Sequence, residues 1–480
     1  QGASLNHAHL ANLSGNNTWA GTIQTTFGGI TYNIESRSGT LTLSGDLNNT
    51  QTGSRIWTFG GDAEGTVSGV IGGPQTGAQV TKKGAGTWTF SNANIYTGTT
   101  VIDQGTLRLS TNTAAGSGTL RLNGGRLTSD AAARSLANPI LVTLDSALGS
   151  GTAGFDGSLL LSGDVSLQGS DAPRVLTVES PVTLAGTITG SGLRGITKTG
   201  ASTLTISGSG NWNGNTSVSA GTFLVTGSAS VASGGNLAAS GTGVFRINTS
   251  GQVNAPSTSA SDSAEIRLEA GTLRTNTLAL GGSGTFNWSG GTLAPYSGAV
   301  FGSGSDVSQP GGAEVYAGRT LVFTGDLTTG AGSALDLGDL YLSGPALYNQ
   351  ITISGTLSVG VDTTLRSVGS PYYLRPSTGG MPMDWGTLVL VDAAGGIVNP
   401  GNFDFIAPSS DGRSFSEFTG TWVSAGDPAQ LDPDTWYVEY TANQVLFHYK
   451  VSAAIPEPAS AGMLIAGGLL LRVLSRRRSC

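Results

Sequence analysis

The chain has 480 residues, 76 of them glycine, with only 11% charged residues and a net charge of −7. That length allows a large core, while the low charge excludes an ordinary cytosolic composition. The short recurring bursts of Val, Ile, Leu and aromatic residues exclude a disordered Gly/Ser linker, which buries too little apolar surface to offset its ordering entropy. Three histidines, His7, His9 and His448, are too few and too scattered for a zinc site, and an acidic surface repels nucleic acid. No cofactor, metal or nucleic-acid partner is therefore expected.

Residues 1–38 are rich in Asn, Thr and Gly and read as an N-terminal cap or leader in which His7 and His9 are solvated. No signal peptide precedes Gln1, which is expected if one has been removed or if the sequence is a fragment. Residues 39–330 read as a β-solenoid. One phrase, apolar alternation followed by Gly-Asp and another apolar residue, occurs at residues 40–47, 158–165 and 320–327. Each copy predicts strand, turn, strand, with the glycine at positive φ and Asp46, Asp164 or Asp326 as a side-chain acceptor.

A longer phrase begins Thr81-Lys82-Lys83-Gly84-Ala85-Gly86-Thr87-Trp88-Thr89-Phe90, passes Tyr96 and ends Gly105-Thr106-Leu107-Arg108-Leu109. It returns 116 residues later as Thr197-Lys198-Thr199-Gly200-Ala201-Ser202-Thr203-Leu204-Thr205-Ile206, Trp212 and Gly221-Thr222-Phe223-Leu224-Val225. Trp88 answers Leu204, Phe90 answers Ile206 and Tyr96 answers Trp212, so inward positions stay apolar and outward ones stay Thr or Ser. The phrase resembles the autotransporter-associated β-strand repeat, clearest at residues 65–109 and 186–225, with Ser202 departing at the second glycine. The resemblance implies an all-β fold, a right-handed parallel β-helix. Further Gly-Thr-Leu starts at Gly118, Gly271, Gly291, Gly355 and Gly386 predict degenerate coils. Residues 110–156 and 227–263 read as decorations of the coils, with a helical turn over 131–136.

Residues 331–453 gather aromatics and read as a C-terminal β cap closing the solenoid. Residues 454–480 contain Pro456, Glu457 and Pro458, an apolar run, Arg472, and the basic Arg476, Arg477 and Arg478. The prolines predict an extended neck, and the apolar run predicts a short C-terminal transmembrane helix with its arginines on the cytoplasmic side. About 13 to 16 apolar residues at about 1.5 Å each fall short of a core about 30 Å thick. This order of parts resembles the PEP-CTERM sorting domain, which implies processing by an exosortase-type membrane protease in a Gram-negative bacterium after transient residence in the inner membrane. An uncleaved tail anchor is the alternative. Removing residues 456–480 takes away four arginines and Glu457, leaving 19 basic and 29 acidic residues. Cys480, the single cysteine, leaves with them, so the product expected outside the cell contains no disulfide.

No nucleophile elbow, phosphate loop, zinc-protease or dinucleotide motif stands in a supporting context. Two readings follow. The chain is a non-catalytic adhesive or matrix solenoid whose partners are extracellular polysaccharide or cell-surface glycans, with Trp19, Trp57, Trp288, Trp385 and Trp422 available to stack on sugars. Alternatively it is a carbohydrate-active β-helix enzyme, a lyase or glycosidase. That reading requires Asp46, Asp164 and Asp326 to stack along one edge, or Asp336 and Asp339 to share calcium. Self-transport through an outer-membrane barrel is not favoured, because no series of about ten-residue alternating strands is recognisable near the C-terminus.

Overall fold

A computed structural model describes residues 8–25, 29–53, 55–275, 277–288 and 291–294, and then 320–324, 327–329, 334–336, 350–361, 363–366, 386–399, 403–406 and 436–449. Among the described residues every regular element is a β-strand. The strands are short because glycine or a polar pair interrupts the alternation every few residues, and each interruption turns the chain through a corner.

Three parallel ladders result, and the chain visits them in rotation. The first runs through Thr31–Ser36, Ile56–Gly60, Gln79–Lys82, Thr100–Ile102 and Leu120–Leu122. The second runs through Thr40–Leu43, Glu64–Val67, Thr87–Phe90, Thr106–Leu109 and Arg126–Ser129. The third opens with Ile23–Gln24, Leu47–Asn48 and Ile71–Gly72. Lower down it contains Arg134–Leu136, Leu159–Leu161, Val182–Leu184, Thr203–Ile206 and Thr222–Gly227. The result is a parallel β-solenoid.

The core is the stack of inward positions. One column runs Leu41, Gly65, Trp88, Leu107, Leu127, Leu148 in register. Gly65 is needed there because a Cβ would lie 2.5 Å from the Trp88 ring. Phe59 packs against Trp88 and edge-on against Phe90, with centroids 4.9 and 5.0 Å apart. Each fully buried side chain of this size contributes about 1.5–3 kcal/mol of transfer free energy.

Several sequence expectations change. Residues 110–148 and 227–263 form coils rather than decorations, and residues 151–156 remain an exposed loop outside the ladders. Leu120–Leu122, Arg126–Ser129, Arg134–Leu136, Ile140–Val142 and Ser146–Leu148 all pair with neighbouring coils, and the helical turn expected over 131–136 is replaced by the third of these strands. Only one or two inward side chains per strand are apolar, so runs rich in Gly, Ser and Ala still qualify. Coil stacking is already under way at Leu10–Asn12, within the stretch read as a cap, because this strand pairs in parallel with Thr31–Ser36. It continues past residue 330 through Thr320–Thr324, Gln350–Ile353 and Gly386–Ala393. Gly386–Ala393 then pairs antiparallel with Gln444–Tyr449, which pairs antiparallel with Trp436–Tyr440.

The Gly-Asp phrases at residues 40–47 and 158–165 form strand, corner, strand, but for a different reason, and the corner of the third lies outside the described residues. Positive φ is not found at Gly45 or Gly163. Instead a Cβ at Gly45 would stand 2.3 Å from Gly21 O, and one at Gly163 would stand 2.1 Å from Asn138 O. Contact with the preceding coil, not backbone handedness, demands glycine there.

Candidate functional sites: buried lysine corners and aspartate turns

A parallel coil that turns a corner leaves backbone carbonyls without ladder partners, and a buried carbonyl needs a donor. Different side chains supply it at different corners. Asn12 Nδ2 donates to Ser38 O and to Gly15 O, which also accepts from Thr40 N–H; Ser36 Oγ donates to Glu64 O, and Asn138 Nδ2 to Gly116 O and Gly118 O. Ser233 Oγ donates to Gly214 O and Gly235 O.

The repeated phrase uses lysine. Lys82 occupies an inward position between Phe59 and Ile102 and has no exposed surface. Its ammonium donates to Lys83 O and Gly84 O, both at 2.7 Å, and to Gln104 O of the next coil at 3.0 Å. Lys198 repeats the arrangement with Thr199 O at 2.9 Å, Gly200 O at 2.7 Å and Ala220 O at 2.9 Å. Three donors meet three acceptors, which suits an ammonium and no smaller side chain. Burial pushes the Lys82 amine down to about 8, with Asp62 drawing it back up. Burial likewise pushes Lys198 down to about 8, opposed by Glu179.

Around each ammonium the backbone is fixed by glycine. Gly84, Gly105, Gly200 and Gly221 have φ of +70°, +64°, +78° and +63°. A Cβ at Gly105 would also sit 2.7 Å from Lys82 Nζ and 2.3 Å from Gly84 O. Gly86 has no positive φ, and at this position the second copy substitutes Ser202. The ladder bond survives the exchange, since Gly86 N–H reaches Gly61 O at 3.0 Å and Ser202 N–H reaches Val178 O at 3.1 Å.

Opposite the lysine, the large ring is tied to a threonine four residues on. The Tyr96 hydroxyl and Thr100 Oγ1 are 2.6 Å apart, and Trp212 Nε1 donates to Thr216 Oγ1 at 2.9 Å. Burial raises the Tyr96 phenol well above its usual range, with the Thr100 bond opposing.

The two copies lie on different faces. Register from Lys82 passes Ile102, Leu122, Val142, Leu167 and Gly190 to Trp212, not to Lys198. Lys198 stands in the second ladder between Leu176 and Val218. The separation of 116 residues is thus five turns plus one face, so the second copy is advanced one corner around the solenoid.

The aspartates expected to form one edge are also dispersed. Asp46 precedes Leu47–Asn48 of the third ladder, whereas Asp164 precedes Val165–Leu167 of the first. Each is exposed and caps the following coil, Asp46 Oδ1 accepting from Val70 N–H and Asp164 Oδ1 from Thr187 N–H, both at 2.8 Å. Among the described residues no group of three His, Cys, Asp or Glu side chains could hold a metal. Trp57 is fully buried against Tyr32, with centroids 5.2 Å apart, so it presents no ring to a sugar, whereas Trp19 is 47% exposed. His9 is exposed and its Nδ1 accepts from Asn33 N–H at 3.0 Å. Asp336, Trp288 and His448 lie in the strands Ala334–Asp336, Thr285–Trp288 and Gln444–Tyr449. His7, Asp326, Asp339, Trp385, Trp422, Pro456, Glu457, Pro458, Arg476, Arg477 and Arg478 lie outside the described residues. Among the described residues no helix is long and apolar enough to cross a membrane.

The lysines escaped the sequence reading as sites, although a signal was present. Lys82 lies two residues after the inward Val80 and Lys198 two after the inward Ile196, so alternation alone places both amines inside.

Comparison with known families finds the passenger-associated-transport-repeat at residues 80–109 and 196–225. These are the two lysine corners with the coil that follows each, and they agree with the autotransporter-associated resemblance read from the sequence. The repeats point to an exported, cell-surface protein. No curated protein and no solved structure matches the chain.

Proposed function

We propose that the chain is an exported, non-catalytic β-solenoid of the passenger type, displayed at the cell surface or in the extracellular matrix, where its long outer faces adhere to polysaccharide or cell-surface glycans. The observation that carries this reading is the pair of matched repeats, each at a lysine corner within the parallel stack. The dispersal of Asp46 and Asp164 to different corners, each engaged in a backbone cap, weakens the carbohydrate-active enzyme reading, which drew on their stacking. The exposed Trp19 supports glycan contact.

Delivery, in this reading, runs through residues 454–480. Pro456, Glu457 and Pro458 form the neck that an exosortase-type protease recognises, and Arg476, Arg477 and Arg478 hold the tail at the cytoplasmic face of the inner membrane until cleavage. The test is fractionation and intact mass of the protein expressed with an exosortase. Release of a product shortened near Pro456, abolished when Pro456, Glu457 and Pro458 are replaced by alanine, is expected. Full-length protein fixed in the inner membrane whatever the motif would overturn the sorting route. Release of oligosaccharide from a polysaccharide panel, lost in Asp164→Asn, would overturn the non-catalytic reading.

A further inference from the structure

Two reciprocal bonds stitch each lysine to the coil that follows it. Asp103 N–H donates to Lys82 O at 3.0 Å, while the Lys82 ammonium donates to Gln104 O at 3.0 Å. Ser219 N–H donates to Lys198 O at 3.1 Å, and the Lys198 ammonium to Ala220 O at 2.9 Å. Two of the three acceptors of each ammonium belong to its own corner, and the third arrives 22 residues later in the chain. Without that third carbonyl and the strand that carries it, the amine would lose an acceptor and its cover, and a charge is not held in an apolar interior with its hydrogen bonds incomplete.

We propose that Lys82 and Lys198 are latches thrown by the following coil: each inward strand locks only when the next coil has docked, so that two consecutive coils close as one unit. The corner then enforces an order. A chain emerging progressively keeps the lysine strand open until about one further coil is available, and only then buries the ammonium. This holds whether or not the protein is exported, because it depends only on the carbonyl set around each Nζ.

Pulse-labelled hydrogen exchange during refolding of the full chain tests the latch without any substitution. Amides of Gln79–Lys82 and of Thr100–Ile102 should gain protection in the same kinetic phase, as should those of Ile196–Thr199 and Thr216–Val218. Protection of Gln79–Lys82 in a clearly earlier phase than Thr100–Ile102 would overturn the proposal. Native-state exchange supplies the second arm. Lys82→Met should lower protection at least tenfold in both coils of residues 79–109 while leaving 196–225 unchanged, and Lys198→Met should do the reverse. Thr81→Ala, on the same strand but facing outward, should change neither. Loss confined to the lysine strand alone, or no loss at all, would contradict the latch.

Discussion

The two matched repeats are the same device mounted on different faces. In the first, Lys82 stands in the first ladder, Trp88 in the second and Tyr96 near the third; in the second, Lys198 stands in the second ladder, Leu204 in the third and Trp212 in the first. What the copies share is the corner: an inward ammonium, two glycines at positive φ, and a large ring bound to a threonine four residues on. What differs is packing beyond the corner. Trp88 requires Gly65 beneath it and donates from Nε1 to Gly60 O at 2.9 Å, while Leu204 makes no such demand. The repeat is therefore a corner module that at least two faces of the three-ladder coil accept.

The largest effects should come from the ammonium. Lys82→Met and Lys198→Met each leave three carbonyls short of a donor, and local opening free energies from hydrogen exchange should fall by about 3 kcal/mol in the affected coils. The two losses should agree within about 1 kcal/mol and be independent, because the sites are several coils apart. A loss at only one lysine would break the equivalence of the corners.

Next in size is the difference between the copies. Trp88→Leu should cost about 2–3 kcal/mol, from the cavity and the lost Nε1 bond. In that background Gly65→Ala should be tolerated, whereas in the native chain it collides with the indole. A double-mutant cycle showing no coupling would contradict the packing account.

Alkaline titration comes third. Burial holds the folded-state amines at about 8, below the value of about 10.4 for a free lysine. The folded chain thus releases these protons first, so the stability of both corners should rise between about pH 8 and about pH 10, and the rise should vanish in the methionine variants. With folded midpoints near 8 the gain over that window is about 2 kcal/mol per corner. A fall in corner stability over that window would contradict the sign.

Smaller effects are expected at the rings and turns. Tyr96→Phe should cost about 1 kcal/mol through the lost bond to Thr100. Asp46→Ala and Asp164→Ala should each cost about 0.5–1 kcal/mol, measured in the coil that each carboxylate caps.

The solenoid was legible because its inward residues alternate and its phrases recur, Leu41 and Leu43 or Trp88 and Phe90 being plain cases. Coils made of smaller residues, such as those at Arg134–Leu136 and Leu237–Ala239, look like ornament in the sequence, since composition hides alternation when alanine and serine fill the remaining positions. The glycines were recognised at the turns, but their cause was not. Sequence does not distinguish Gly105, which needs positive φ, from Gly45, which needs room for a neighbouring carbonyl. The aspartates looked equivalent because their phrases match, yet a spacing that is not a whole number of turns puts Asp46 and Asp164 at different corners. Register decides that, and register depends on the lengths of all intervening coils.

The most direct test of the corner account is a pH titration of the lysine side-chain nitrogens by NMR in the intact protein, which contains four lysines. Two ammonium signals, assigned to Lys82 and Lys198 by the methionine variants, should exchange slowly with water and titrate together with midpoints near 8. If the Lys82 and Lys198 nitrogens exchange rapidly and titrate at about 10.4, as a free amine does, neither corner is closed around a buried ammonium and the account fails.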